Sequence, residues 1–457
     1  MNGLVSQLNY PLRRSARLLS VSSIQVDANP DLSQSTPTTV PRKRRNSERD
    51  SNSNPLTDEG HVPLPASKKS TINPAARKSD TVKDLTRSVK SKAKSNPKPD
   101  PVYSIPDVEP KETQFKGRLG YACLNTVLRN KKPSSASVFC SRTCRLDSLR
   151  KNGLDWVKEL GRRNVEDLLT IIQWNEDNNI RFFRLSSEMF PFASHAVHGY
   201  SLEYCASQLA KAGALANKYR HRLTVHPGQY TQLGSPKPAV VEAAVRELVY
   251  HCQMLDLMGL GKDSVMVIHG GGVYNDKPTT LQRLKESIRT LPSNVRNRLV
   301  LENDEMCYNA KDLLPVCEEL DVPLVFDYHH DALYPSSIPP STIIKRANAI
   351  WTRRGIKPKQ HLSEQRPGAV TLMERRAHAD RCENLPEDLP LDMDLMIEAK
   401  DKEQAVLYLH RMYNLKPVVH ASLRPAATNP STQTNGRKSN KRGRATPVKE
   451  RGVTEGE

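Results

Sequence analysis

A chain of 457 residues could hold two or three domains, yet only 37% of it is hydrophobic and its mean hydropathy is −0.62, so much of it cannot bury a core. No run approaches the roughly 18 apolar residues of a membrane span, and the eight cysteines form neither a C-x-x-C pair nor a secretory framework. A membrane protein and a disulfide scaffold are therefore excluded, while a formal charge of +19 points to a polyanionic partner such as nucleic acid.

The charge is unevenly spread. Residues 1–112 carry 19 basic and 12 acidic groups, contain no Phe or Trp, and are crowded with Ser, Pro, Asn and Lys. That composition buries too little surface to fold, so 1–112 is expected to be a disordered basic N-terminal region, and 414–457 a similar C-terminal tail. Such arms either hold nucleic acid or stay solvated. The cluster Pro41, Arg42, Lys43, Arg44, Arg45 reads as a nuclear signal, whereas the first 26 residues, with Arg13, Arg14 and Arg17 and no acid, also suit a mitochondrial presequence. Cysteine usage implies a reduced intracellular compartment. The nucleus is the expected address and the mitochondrion the alternative.

Between the tails, residues 113–413 alternate regularly. A first strand, 117–124 (GRLGYACL), ends at Asn125. A helix over 165–178 follows, with Asn164 as N-cap and Asp167 three residues on. The short aromatic strand 181–186 precedes a helix at 201–219. Strand 222–225 ends at His226, helix 239–258 leads to strand 264–268 and His269, and helix 281–291 leads to the run RLVLENDE, where Leu299, Val300 and Leu301 break into Glu302. Helix 310–320 precedes VPLVFDYHH, a strand at 322–326 running into Asp327, His329 and His330. A helix near 341–352, a short segment ending at Lys359 and His361, a strand 391–397 ending at Glu398, and a helix 400–413 complete the series. Apolar runs with a helix between them are parallel strands covered on both faces. Eight of them close most simply as a TIM-type (β/α)8 barrel, an α/β fold whose loops at the C-terminal ends of the strands hold active sites.

That is where the polar residues fall: Asn125, His226, His269, Glu302, Asp327, His361 and Glu398 each follow a different candidate strand. A lone histidine after a strand is usually a satisfied core residue. Six or seven polar groups at equivalent positions are not. Imidazoles and carboxylates without cysteine describe a site for a hard or borderline divalent ion, and there are enough of them to hold two or three. Clusters of this kind clamp the attacking and leaving oxygens of a phosphoryl centre and supply hydroxide at neutral pH.

With these residues placed, the sequence resembles the UV damage endonuclease family, the ultraviolet-lesion repair nucleases of fungi and bacteria. The resemblance runs over roughly 115–413 and rests on GRLGYACLN, RLSSEMFP, RLTVHPGQY, VIHGGG, RLVLENDE, LVFDYHH and IEAKDKE. It implies a barrel related to the endonuclease IV type with a cluster of two to three divalent ions, Mn2+ first, Zn2+ or Mg2+ as alternatives. By matching motifs the ligands would be His226, His269, Glu302, Asp327, His330, His361 and Glu398, with His378 in RRAHAD as a further one. His195 would lie near the site, behind the ligands or against substrate. Lys359 matches a lysine that in the family can be carboxylated and join the cluster; its plain reading is a surface lysine. Tyr121 and Asn125 would line the lesion pocket, and Gln229 with Tyr230 would be inserted into the duplex.

The implied reaction is single-strand incision immediately 5′ to a cyclobutane dimer, a 6-4 photoproduct or an abasic site. It leaves 3′-hydroxyl and 5′-phosphate ends and starts an excision pathway independent of classical nucleotide excision repair. Glu302, Lys359, His226 and Glu398 would carry it. Partners would be damaged double-stranded DNA and then a flap nuclease, a polymerase and a ligase, with the chain itself a monomer and no membrane involved. Two other readings fit the same residues: a metal-dependent sugar-phosphate isomerase-like enzyme, in which the Gln229-Tyr230 pair and basic tails have no purpose, and a non-enzymatic damage-sensing protein that binds DNA through its arms.

Overall fold

Eight runs of apolar residues become strands in the computed structural model, which describes residues 103–427: β1 Arg118–Ala122, β2 Phe182–Leu185, β3 Arg222–Val225, β4 Met266–His269, β5 Leu299–Glu302, β6 Leu324–Val325, β7 Lys359–Leu362 and β8 Asp394–Ile397. All paired neighbours are parallel, in the order β6-β5-β4-β3-β2-β1-β8-β7. The ring is completed between β6 and β7 by the Asp327–His361 bridge, with the His361 amide donating to the Phe326 carbonyl at 3.1 Å. This is the expected (β/α)8 barrel.

Because side chains alternate along a strand, each strand contributes one set to the barrel axis and one to the helices outside. The outward set, including Leu119, Phe183, Leu223, Met266, Leu301, Leu324 and Leu395, joins one large core with the helices. Ala122, Phe182 and Met396 pack together inside, as do Val265, Val267, Val300 and Val325. Room inside is short: a Cβ at Gly120 would lie 2.5 Å from the Phe182 ring. Continuing each inward set to its C-terminal end reaches Arg184, His226, His269, Glu302, Asp327, His361 and Glu398. The alternation that builds the core thus delivers the polar residues to one mouth.

The opposite end is pinned by side-chain ion pairs. Asp394, fully buried, accepts from Arg118 at 2.5 and 2.7 Å and from the buried Arg222 at 2.8 Å. A cavity of about 370 Å³ opens there, but its Arg118, Arg181 and Lys357 are paired with Asp394, Glu176 and Asp392. Burial raises the Asp394 carboxyl, yet the two guanidiniums outweigh it and hold the group below its ordinary range. The stabilisation is therefore present above an ordinary aspartate pKa of about 4 and is lost as pH falls further. Removing one partner strands a buried charge, so Asp394→Asn should cost roughly 3 kcal/mol of stability. Urea unfolding checks it, and a loss below 1 kcal/mol would show that Arg222 finds water instead.

Several local expectations change. The helix expected at 165–178 runs from Leu154 to Asp177, and Asn164 lies buried within it; its amide ties a neighbouring loop through Arg142 and Met189. Apolar spacing extends upstream through Val157 and Gly161, so a capping-type residue was overridden by packing. Asn125 caps a short helix, Thr126–Arg129, by accepting from the Leu128 amide. His329 and His330 sit on a further short helix, Tyr328–Leu333, capped by Asp327. Residues 103–112 and 414–427, which composition assigns to the tails, run along the barrel: Lys111 donates to the Met412 carbonyl at 2.8 Å, and Arg424 lies over the Tyr103 ring at 4.6 Å. All eight cysteines are unpaired, and no helix among the described residues is long and apolar enough to cross a membrane. The basic cluster 41–45, Arg13, Arg14 and Arg17, and residues 428–457 lie outside the described residues.

Candidate metal centre

Glu302, the last residue of β5, stands in the middle. One of its oxygens lies 3.0 Å from His226 Nε2 and 3.3 Å from His269 Nε2; the other lies 2.7 Å from His361 Nδ1. Three strands thus converge on a carboxylate carried by a fourth. His361 Nδ1 is also 3.2 Å from Glu398 and 4.0 Å from Asp327, and His330 Nδ1 lies 3.8 Å from both Asp327 and Glu302. Two sets, His226 with His269 and Glu302, and Glu302 with Asp327 and His361, each bring three ligand atoms within 4.8 Å of one another, so Glu302 is common to both.

The surroundings fix how these imidazoles present themselves. His226, His330 and His378 each place Nδ1 against a backbone carbonyl, of Pro227 at 3.1 Å, Asn303 at 2.8 Å and Glu398 at 2.6 Å. A ring that donates Nδ1–H to a carbonyl keeps its Nε2 lone pair for a cation, the usual arrangement behind a metal-ligating histidine. Asp327 has an Oδ2 that is buried and without a hydrogen-bond partner, while its Oδ1 accepts from the His329 and His330 amides at 2.8 Å each. An orphaned carboxylate oxygen beside two other carboxylates is costly unless a cation meets it. The residues therefore fit divalent ions.

Charges are balanced within the cluster. Burial pushes the Glu302 carboxyl up, but His361, His269 and His226 outweigh it and hold the group well below the usual range. Burial also raises Glu398, which Arg184 and His361 return to well below normal. Asp327 is pushed up to about 6, by burial first and then by Glu302 and Glu398. Burial brings His226 down to about 4, so it is neutral at physiological pH. His330 goes the other way, to about 10, because Asp327, Glu302 and Glu305 outweigh its burial.

Lys359 is fully buried, not on the surface, and its Nζ contacts His361 Nε2. Burial lowers its pKa to about 7 although Glu302 opposes the shift, so a substantial part of the amine is neutral in this range. His378 touches Glu398 through its backbone and packs edge-on to His329 at 5.3 Å. His195 makes no such connection; its Nδ1 accepts from the Val197 and His198 amides at 3.1 Å, and its ring stacks on His198. Tyr121 and Asn125 are both buried on the helix side of β1, where the Tyr121 hydroxyl joins Asn175 at 2.6 Å and Asn125 at 3.0 Å, so neither presents a surface at the mouth. Gln229 and Tyr230 are exposed in the loop after β3, Tyr230 by 80%.

Three participants escaped the sequence reading. Arg184, buried in the mouth, pairs with Glu398 and was legible only as the inward neighbour, two along, of Phe182. Asn303 exchanges hydrogen bonds with the Asp327 backbone at 2.9 and 3.0 Å. Glu305 links His330, at 3.7 Å, to Arg376.

Comparison with known proteins points the same way. A family model described as UV-endonuclease UvdE matches residues 117–424. A UV-damage endonuclease of Schizosaccharomyces pombe is 49% identical over 316 residues, covering 67% of this chain and 52% of the relative. Another, of Neurospora crassa, is 48% identical over 343 residues, covering 66% and 52%. The chain spans about half the length of these two fungal relatives. Among solved structures, a crystal structure of SacUVDE superposes with a TM-score of 0.56 at 30% identity, over 64% of this chain and 96% of that one.

Proposed function

This chain belongs to the UV-endonuclease UvdE family, and from that premise we propose that it is a divalent-metal-dependent endonuclease that nicks duplex DNA immediately 5′ to ultraviolet photolesions. Cyclobutane dimers, 6-4 photoproducts and abasic sites are its substrates, and it leaves 3′-hydroxyl and 5′-phosphate ends. The observation that carries the reading is the convergence of three imidazoles from three strands on the two oxygens of Glu302, with the unpartnered Asp327 oxygen beside it. His226, His269 and Glu302 would hold one ion; Asp327 and His361 would share Glu302 for a second, with His330, His378 and Glu398 beside them. Donors of oxygen and nitrogen only suit a hard or borderline divalent ion, Mn2+ first with Zn2+ or Mg2+ as alternatives. Bound ions would neutralise charge building on the phosphate and on the departing 3′ oxygen and activate water at neutral pH.

The chain's own groups do the rest. Glu302 sets the spacing between the two ligand sets. Arg184 keeps Glu398 ionised and in place. Lys359, with a proton held loosely beside His361, can take up or release charge as the site fills, and its neutral amine is the form that carboxylation requires.

Lesions as different as these share weak stacking, not a common base edge, so recognition by ease of unstacking fits better than hydrogen-bond readout. Gln229 and Tyr230, free of the core on a loop beside His226, suit insertion into the gap. Replacing an inserted aromatic ring loses about 1–3 kcal/mol of stacking. Tyr230→Ala should therefore slow incision of a dimer-containing duplex roughly 10- to 100-fold with metal content unchanged. An unaltered rate would remove Tyr230 from recognition.

The function itself is tested by incubating purified protein, loaded with Mn2+, with a duplex carrying one defined photolesion. One nick on the 5′ side of the lesion is expected, absent from undamaged duplex and from His226→Ala. No cleavage by a metal-loaded protein would end the nuclease reading. The 3′-hydroxyl product would serve a polymerase, with flap removal and ligation following. The basic cluster 41–45 would direct the chain to the nucleus, and alanines at 42–45 should release a fluorescent fusion from it.

A further inference from the structure

Between β7 and β8 the chain leaves the barrel as a hairpin. Gln365 and His378 bridge in antiparallel fashion, the Arg366 amide donates to the Ala377 carbonyl at 2.9 Å and the Ala379 amide to the Glu364 carbonyl at 2.8 Å. The tip is a short helix, Leu372–Arg375, opened by a capping box in which Thr371 and Glu374 satisfy each other's amides. This well-formed tip carries apolar side chains into solvent: Val370 is 83% exposed, Leu372 55% and Met373 69%. Scattered apolar residues on a surface need no explanation, but three within four positions make a patch that does.

The position of the hairpin supplies a reason. It rises from the C-terminal end of β7, the mouth that holds the ligand set, and its base contains His378. Arg376 pairs with Glu305, which faces His330, so the tip is tied to the candidate metal centre through two side chains. In a ring of eight strands β7 stands across from β3, whose loop carries Gln229 and Tyr230. Exposed apolar groups therefore flank the centre on opposite sides. Of the hairpin's arginines 366, 375 and 376, only Arg376 is in an ion pair among the described residues; Arg375 donates its Nε to Gln365 at 3.1 Å and Arg366 lies near Glu374, and both keep further N–H groups for an external anion.

We propose that the 365–378 hairpin is a second duplex-DNA contact: Val370, Leu372 and Met373 pack against the minor groove and the weakened base step while Arg366 and Arg375 meet the flanking phosphates. Apolar side chains beside arginines are how minor-groove proteins hold a bent or partly unstacked duplex. With Tyr230 on the other side, the hairpin completes a clamp that holds the distorted segment over the metal centre. The inference rests on the nuclease reading above.

The test uses full-length, Mn2+-loaded protein and a duplex carrying one thymine dimer. Val370→Ser, Leu372→Ser and Met373→Ser combined change side chains that are each more than half exposed and should leave folding intact. The expected result is a KM raised about tenfold at unchanged kcat and metal content. Arg366→Gln with Arg375→Gln should flatten the slope of log affinity against log salt by about 2. A triple variant with wild-type KM overturns the hairpin contact, as does one that loses kcat alone, since that would place its effect on the metals through Arg376 and Glu305. If the wild type neither binds nor cuts the duplex, the nuclease reading fails first.

Discussion

Glu302→Gln should reduce incision by at least about 10³-fold, the largest effect expected of any single substitution. The glutamine keeps the size and shape of a side chain that is 1% exposed, so the barrel should fold as before. What it loses is the ability to offer an anionic oxygen in two directions at once. In the wild type one oxygen serves His226 and His269 and the other His361. An amide would turn an N–H toward one of these rings and leave any cation on that side without its shared ligand. Metal content by elemental analysis should fall together with single-turnover incision, both read on folded protein, because losing the charge that offsets His361, His269 and His226 also lowers the thermal midpoint. A Glu302→Gln protein cutting within tenfold of wild type would show that the carboxylate is not the shared centre.

The second large effect is on metal affinity as a function of pH. In the metal-free protein His330 holds its extra proton up to about pH 10, because Asp327, Glu302 and Glu305 face it and outweigh its burial. Its Nδ1 is committed to the Asn303 carbonyl, so the proton that must leave when a cation binds is the one on Nε2. Below pH 10 that displacement costs affinity. Binding at the Asp327 and His330 side should tighten about tenfold per pH unit, close to 100-fold between pH 6.5 and 8.5. His226, already neutral above about 4, adds no such dependence, and Lys359, near 7, steepens it only at the lower end of this range. Titration with chelator-buffered Mn2+, and calorimetry in buffers of different ionisation enthalpy, would measure the affinity and the proton released. A flat affinity over those two units would exclude His330 as a ligand.

The same shift has a consequence for stability. His330 in the folded, metal-free chain has a pKa above its unfolded value of about 6.5, so its contribution is full below that value. It is then lost as pH rises through about 10. Urea midpoints of metal-free protein should therefore fall on the alkaline side.

Much of the site was legible in the sequence because a parallel barrel presents the residues of its mouth in chain order. Each apolar run is short, ends in a polar residue and is followed by a helix, and parallel strands must place those ends on one side. His226, His269, Glu302, Asp327, His361 and Glu398 were found this way without reference to their neighbours. Arg184 was missed because it lies within its strand, where an arginine reads as an interruption, not an end. Glu305 and Asn303 were missed because their partners, Arg376 and Asp327, are distant in the chain. Asn164 misled because a good capping residue can also serve as a buried polar tie, a choice made by the loop it meets.

Sequence alone determined the strand count, the common edge on which the imidazoles and carboxylates stand, and the basic composition of both tails. These follow from local rules, alternation along a strand and handed connection between parallel strands, that need no knowledge of distant partners. Tertiary structure decided which oxygen of Glu302 faces which ring, that Lys359 is buried and loosely protonated, that Tyr121 and Asn125 turn toward the helices, and that Val370, Leu372 and Met373 stand in solvent. Those outcomes depend on which side chains compete for the same few cubic ångströms and the same charge, and that competition is settled only when the whole ring is closed.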